Sequence, residues 1–128
     1  MSEQFEEPQG QLAIRTVAMP ADTNANGDIF GGWLVSLMDM GGGIEGRRRA
    51  KCRVVTVAID AMTFIKPVYV GDTICCYTQL LKVGRTSMRF DISVWTLTYP
   101  EDKYKKVAEG IFTFVAIDDQ GKPQPVDR

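Results

Sequence analysis

Asn24, the pair Gly31-Gly32 and Asp39 lie in one short stretch, Asp22-Thr23-Asn24-Ala25-Asn26-Gly27-Asp28-Ile29-Phe30-Gly31-Gly32-Trp33-Leu34-Val35-Ser36-Leu37-Met38-Asp39. An amide-rich loop gives way to two glycines and then to an apolar segment with one acid near its middle. An ionised carboxylate among apolar neighbours is expensive unless something pairs with it, so Asp39 is the first candidate for chemistry. Gly31 and Gly32 stand where the first N–H groups of a helix have no intrahelical partner. Those donors and the positive end of the dipole favour developing negative charge. Bare backbone also lets a carbonyl oxygen come close, as an oxyanion hole requires. A Gly-Gly pair before a helix is equally a common turn; its weight comes from Asn24 upstream and Asp39 about two turns downstream. Asn24 carries a donor and an acceptor on one side chain, but Asn also favours turns. Both readings stand for Asn24, and the turn reading is the stronger one for Asn26. The chain contains no histidine, which removes most competing chemistries.

These residues need elements to position them. Leu12 to Met19 alternates as a first strand ended by Pro20, and the loop Ala21 to Asp28 follows. Leu34, Leu37, Met38, Gly41 and Ile44 recur at helical spacing, which predicts an amphipathic helix from about Phe30 to Ala50. Arg53 to Phe64 is rich in β-branched residues and reads as a buried strand. Thr73 to Val83, Thr86 to Tyr99 and Tyr104 to Ile117 read as three more strands, separated by Gly84-Arg85 and by Pro100-Glu101-Asp102. One long helix and about five strands predict an α+β domain. Short turns between the later strands predict antiparallel pairing, in a sheet that curls around the helix. Residues 1–10 and 119–128 read as loose tails on a single domain spanning 1–128.

Composition bounds the function. At 128 residues, with 45% hydrophobic and 24% charged residues, the chain suits one globular domain with a single core. A net charge of -1 with scattered signs gives no basic field for nucleic acid. No apolar run approaches the roughly 20 residues of a membrane span. Met1-Ser2-Glu3-Gln4-Phe5-Glu6-Glu7 is acidic and lacks the apolar stretch of a signal peptide, so the expected compartment is the cytoplasm. Cys52, Cys75 and Cys76 are odd in number, and the adjacent pair points to opposite faces of a strand, against a disulfide framework. With no imidazole and no Cys-x-x-Cys pair, no metal site is expected.

The helix glycines call for a reason, because each interior glycine costs about 0.5–1 kcal/mol relative to alanine. On a helical wheel Asp39 lies roughly opposite Leu37 and Gly41, with Gly32, Val35, Gly42, Gly43 and Gly46 on its side. Close approach of another backbone or of a ligand would compensate. A tight helix–helix contact across a dimer and a narrow ligand slot beside Asp39 both satisfy this, and they coincide if the slot lies at a dimer interface.

The segment from Asn24 to Leu34, with Asp39, resembles the signature of hotdog-fold acyl-CoA thioesterases of the bacterial YciA type. The resemblance continues through Arg53-Val54-Val55-Thr56-Val57, Met62-Thr63-Phe64 and Pro67-Val68-Tyr69-Val70-Gly71-Asp72, and covers about Pro8 to Pro123. It implies a long helix wrapped by an antiparallel sheet, dimers joined through a continuous sheet, and often a trimer of dimers. It also implies a shared active site in which Asn24 of one subunit faces Asp39 of the other. Gly41-Gly42-Gly43 and the run Arg47-Arg48-Arg49 depart from the expected pattern without touching either position.

Thioester hydrolysis fits these residues. Asp39 would activate a water or attack directly, Asn24 would orient the water or polarise the carbonyl, and the N–H of Gly32, with Gly31, would hold the oxyanion. A thiolate is a good leaving group, so the missing histidine counts against hotdog dehydratases and hydratases more than against a thioesterase. Coenzyme A, as part of the substrate, brings phosphates that want basic partners; no other cofactor is expected. Candidates are Arg47 with its neighbours Arg48, Arg49 and Lys51, the hairpin Arg85-Thr86-Ser87, and Lys66, while a run at a helix end also simply complements the dipole. Two other functions use the same scaffold: a non-catalytic acyl-CoA-binding sensor, and a purely structural oligomer.

Overall fold

A computed structural model describes residues 6–128. Strand β1 spans Gln11–Val17, helix α1 Gly31–Ala50, β2 Arg53–Phe64, β3 Thr73–Val83, β4 Ser87–Thr98 and β5 Lys103–Ile117, with one turn of 3-10 helix at Pro20–Asp22. The strands form a single antiparallel sheet in the order β1-β3-β4-β5-β2. Two hairpins, β3–β4 and β4–β5, make its centre. Helix α1 connects β1 on one edge to β2 on the other, so it must cross the face of the sheet on the way.

The crossing creates the core. Period-2 alternation puts Met88, Phe90, Ile92 and Val94 of β4 and Phe112, Phe114 and Ala116 of β5 on the helix side, where all are buried. Leu34, Leu37 and Met38 of α1 close on them, and each such side chain fully buried stabilises by about 1.5–3 kcal/mol. Cys76 joins this core, whereas Cys75 on the other face accepts a hydrogen bond from Arg15 Nε at 3.2 Å. All three cysteines are free thiols.

The helix leans differently from the wheel. A Cβ on Gly42 would meet Ile92 Cδ1 and the Phe114 ring at 2.6 Å, and one on Gly41 would meet Cys76 Sγ at 2.8 Å. Gly42 and Gly46, on the Asp39 side of the wheel, are buried against this chain's own sheet, with Val54 of β2 beside Gly46 as Thr56 is beside Asp39, so that stretch of the side holds no open slot; Ile44, placed on the apolar stripe by its spacing, is 44% exposed. Gly42 therefore lets α1 settle onto Ile92 and the Phe114 ring, and Gly41 onto Cys76.

The C-terminal segment is not a loose tail. Val126 is buried in the core, and its N–H donates to Arg85 O at 2.9 Å, while the N–H of Gln124 donates to Ala116 O at 2.9 Å. Arg128 Nη2 donates to Ala50 O at 2.9 Å, capping a carbonyl that the helix leaves open, and Arg49 pairs with Asp127 at 2.7 Å. Among the described residues no helix is long and apolar enough to cross a membrane.

Candidate active site

Asp39 stands half-buried on the flank of α1 that faces β2. Thr56 Oγ1, on β2, donates a hydrogen bond to Asp39 Oδ1 at 2.5 Å. Even-numbered residues at the start of β2 face the helix; Val54, two residues earlier, packs on the core. The register then shifts between Thr56 and Ala58, and again between Asp60 and Thr63, with Ala61 in the left-handed region at φ 52. These bulges re-aim the edge strand just after Thr56. Sequence reading missed Thr56, because a threonine in a β-branched run looks like a strand former. The available signal was parity: a polar residue two positions after the core-facing Val54.

Gly31 and Gly32 open the helix as expected. Phe30 is the N-cap and provides no side-chain hydrogen bond, so no side chain caps the N–H groups of the first turn. A Cβ on Gly31 would strike the Phe64 ring at 2.9 Å; one on Gly32 would meet only the edge of Phe30 at 3.2 Å. Gly32 is exposed, and its backbone is open to a ligand.

Asn24 is exposed in the preceding loop, where its Oδ1 accepts the N–H of Asn26 at 2.9 Å and of Asp28 at 3.2 Å. That engages the side-chain oxygen in the turn and leaves the amide NH2 as the group to offer. Asp22 and Asp72 serve turns, accepting the N–H of Met19 and of Tyr69. Eight residues of helix, roughly 12 Å at ~1.5 Å per residue, separate Gly31 from Asp39. Within one subunit the Asp39 carboxylate and the Gly31-Gly32 turn therefore stand too far apart to meet the same carbonyl.

The basic candidates fall into two groups. Arg85, Thr86 and Ser87 lie at the end of the sheet where α1 finishes; Arg85 O accepts the N–H of Val126 in the C-terminal segment, and Thr86 O that of Ala116 in β5. Arg47 is at that end too. Lys66 is at the opposite end, following Phe64, where its N–H and that of Ile65 reach Val107 O. Of the Arg47–Arg49 run, Arg48 pairs with Glu45 at 3.1 Å and Arg49 with Asp127 at 2.7 Å. Arg47 has no ion-pair partner among the described residues.

Residues 26–99 match the family model described as Thioesterase superfamily. The chain belongs to that family. Its fold is the hotdog fold, with α1 as the enclosed helix. It is 52% identical over 122 residues to the acyl-CoA thioester hydrolase YciA of Salmonella typhimurium, covering 93% of this chain and 92% of that one. Its structure superposes on a hexameric thioesterase from Yersinia pestis with a TM-score of 0.88 at 52% identity, covering 94% of this chain and 98% of that one. A more distant neighbour is an acyl-CoA hydrolase of Staphylococcus aureus, at TM-score 0.82 and 29% identity, covering 88% of this chain and 69% of that one. It has been solved as separate alanine variants of an asparagine, an aspartate and a threonine, whose spacings of 15 and 17 residues equal those of Asn24, Asp39 and Thr56 here.

Proposed function

We propose that this family member is an acyl-CoA thioester hydrolase in which Asp39, held by Thr56, activates the attacking water. The observation that carries the reading is the Asp39–Thr56 hydrogen bond. It fixes one carboxylate oxygen and leaves the other to take a proton. Water adds to the thioester carbonyl as Asp39 accepts its proton, and the oxyanion forms against the N–H groups of Gly32 and Gly31. Collapse expels the CoA thiolate, which takes up a proton, and leaves a carboxylic acid.

The distance between Asp39 and Gly31 argues for assembly. Strand β2 is an edge of the sheet, with Val55, Val57 and Ile59 each more than 40% exposed. An apolar edge of this length is a template for pairing with another chain. Antiparallel pairing of two β2 strands about a two-fold axis sets the Arg53 end of one against the Phe64 end of the other. Since Phe64 packs on Gly31, that operation carries the oxyanion turn and Asn24 of one subunit toward Asp39 of its partner. Isologous pairing of this kind makes a closed dimer, and three such dimers make a hexamer like that of the Yersinia pestis protein.

A thiol-release assay over acyl-CoA substrates of increasing chain length, with Asp39→Ala and Asp39→Asn alongside, tests the reading. Turnover by the native protein and a loss of about 10²–10⁴-fold in the variants are expected for removal of a general base. Saturable acyl-CoA binding without thiol release would instead make the protein a sensor. Native turnover retained by Asp39→Ala would dismiss the mechanism.

A further inference from the structure

We infer that Phe64 is a positioning residue for the reaction: its ring holds the Gly31-Gly32 turn at the place where the oxyanion forms. The inference rests on the acyl-CoA reading above and adds to it the residue that fixes the donors. A Cβ on Gly31 would lie 2.9 Å from Cζ, 3.1 Å from Cε1 and 3.4 Å from Cε2 of Phe64, so the tip of the ring fills the place of the missing side chain. Phe64 is nonetheless 52% exposed. A phenylalanine that served only the core would be buried; this one reaches out of the sheet and leans on the first turn of α1.

Strand β2 is shaped to bring it there. Thr56 pairs with Phe114 and Phe64 with Ala108, so eight steps along β2 run beside six along β5. The two surplus residues are taken up at the register shifts between Thr56 and Ala58 and between Asp60 and Thr63. Each shift turns the alternation of the strand over once, and the second restores it. Thr56 and Phe64 therefore both face the helix, one at Asp39 and the other at Gly31. The surplus also draws Phe64 back from the end of the sheet by roughly 7 Å, at ~3.3 Å per residue. At the second shift Met62 lies over β5, where a Cβ on Gly110 would meet its Sδ at 3.0 Å, so the glycine leaves the room that the bulge needs.

The segment after Phe64 completes the hold. The N–H groups of Ile65 and Lys66 donate to Val107 O at 2.8 and 3.3 Å, which pins the backbone behind the ring. Further along, the carbonyl of buried Val68 accepts the N–H of Ile29 at 3.0 Å, and Ile29 is itself buried. The turn is thus gripped at two points, by a hydrogen bond at Ile29 and by the ring at Gly31. One strand then serves both halves of the chemistry: Thr56 orients the carboxylate of its own subunit, and Phe64 sets the oxyanion donors that this subunit offers to its partner.

Steady-state thiol release tests this in Phe64→Ala, Phe64→Leu, Phe64→Tyr, Gly31→Ala and Gly31→Ala/Phe64→Ala, with light scattering to follow assembly. Phe64→Ala and Phe64→Leu should lower kcat at least tenfold with KM and assembly size unchanged, and Phe64→Tyr, which keeps the ring, should retain most of it. Gly31→Ala should cost less kcat in the Phe64→Ala protein than in the native one, because its methyl then enters the space the ring has left. Native kcat in Phe64→Ala and Phe64→Leu, strictly additive losses in the double variant, or a smaller assembly in the single ones would overturn the assignment. Hydrogen exchange of the amides of residues 29–33 reads the same contact without turnover, and it should be at least tenfold faster in Phe64→Leu; unchanged exchange would also overturn it. Native protein that releases no thiol, with exchange still accelerated in Phe64→Leu, would sink the hydrolase reading and leave the hold of Phe64 on the turn standing.

Discussion

The hydroxyl of Thr56 donates to the carboxylate of Asp39 across 2.5 Å and so ties the midpoint of the central helix to an edge strand. The bond orients a carboxylate that would otherwise rotate freely on a helix flank. Thr56→Val removes the donor while keeping the β-branched shape. A hydrogen bond to a charged group contributes about 1.5–3 kcal/mol, so kcat should fall roughly 10- to 100-fold. Thr56→Ser should recover most of it. Steady-state thiol release checks this, and a Thr56→Val enzyme with native kcat refutes the role.

Gly42 and Gly43 are adjacent on the helix yet opposite in setting. A methyl at 42 would collide with Ile92 and Phe114 at 2.6 Å, whereas one at 43 meets nothing within 4 Å of its own subunit. Gly42→Ala should therefore destabilise by about 1–3 kcal/mol through overpacking. Gly43→Ala should stabilise by about 0.5–1 kcal/mol through helix propensity. Urea denaturation reads both. A loss of stability at 43 would reveal another subunit packed on that flank.

Burial pushes the Cys76 thiol from its ordinary value of 9.0 up to about 12, with Cys75 adding to the shift. In the unfolded chain this thiol ionises near pH 9, while the folded chain holds its proton. The unfolded state then carries fewer protons, so stability falls as pH rises through this window, by roughly 1.4 kcal/mol per unit, and is unaffected by this group below it. Cys76→Ala should be less stable than the native protein at pH 8, and the difference should shrink by pH 10.5. Paired denaturation curves at the two pH values measure it; a constant difference would be inconsistent with the shift.

Strand β2 exposes Val55 and Val57 at 41% and 55%. Lysine at both positions charges an otherwise apolar edge, a device that blocks edge pairing. Val55→Lys/Val57→Lys should run as a smaller species in light scattering and should lose thiol release, because Asp39 loses its partner's oxyanion turn. Native assembly size in this variant would move the subunit contact to another surface.

The elements with local signals were legible before any coordinates. Alternation along Met88, Phe90, Ile92 and Val94 set the buried face of β4, and the helix and four later elements match the expected spans to within a residue or so. Non-local facts were not legible. Nothing in Arg53 to Phe64 announces pairing with β5 and not with a sequence neighbour. The wheel located an apolar stripe but could not tell that the Asp39 side also leans on the sheet at Gly42 and Gly46, nor that Ile44 stays exposed. Polar and Pro-rich composition made residues 119–128 look frayed, although a single buried valine, Val126, anchors them. Thr56 gained meaning only once the strand was seen beside Asp39.

The strand order has a consequence for synthesis. Arg53 pairs with Ile117 and Phe64 with Ala108, so the strand that follows the helix can join the sheet only after the last strand exists. During translation, Val54, Val55, Val57 and Ile59 leave the ribosome with neither edge satisfied, and they wait there while two complete hairpins are made. This topology loads the burden of solubility onto the nascent chain, and Val55, Val57 and Ile59, the exposed residues of the edge proposed above for pairing, are among those most prone to premature aggregation.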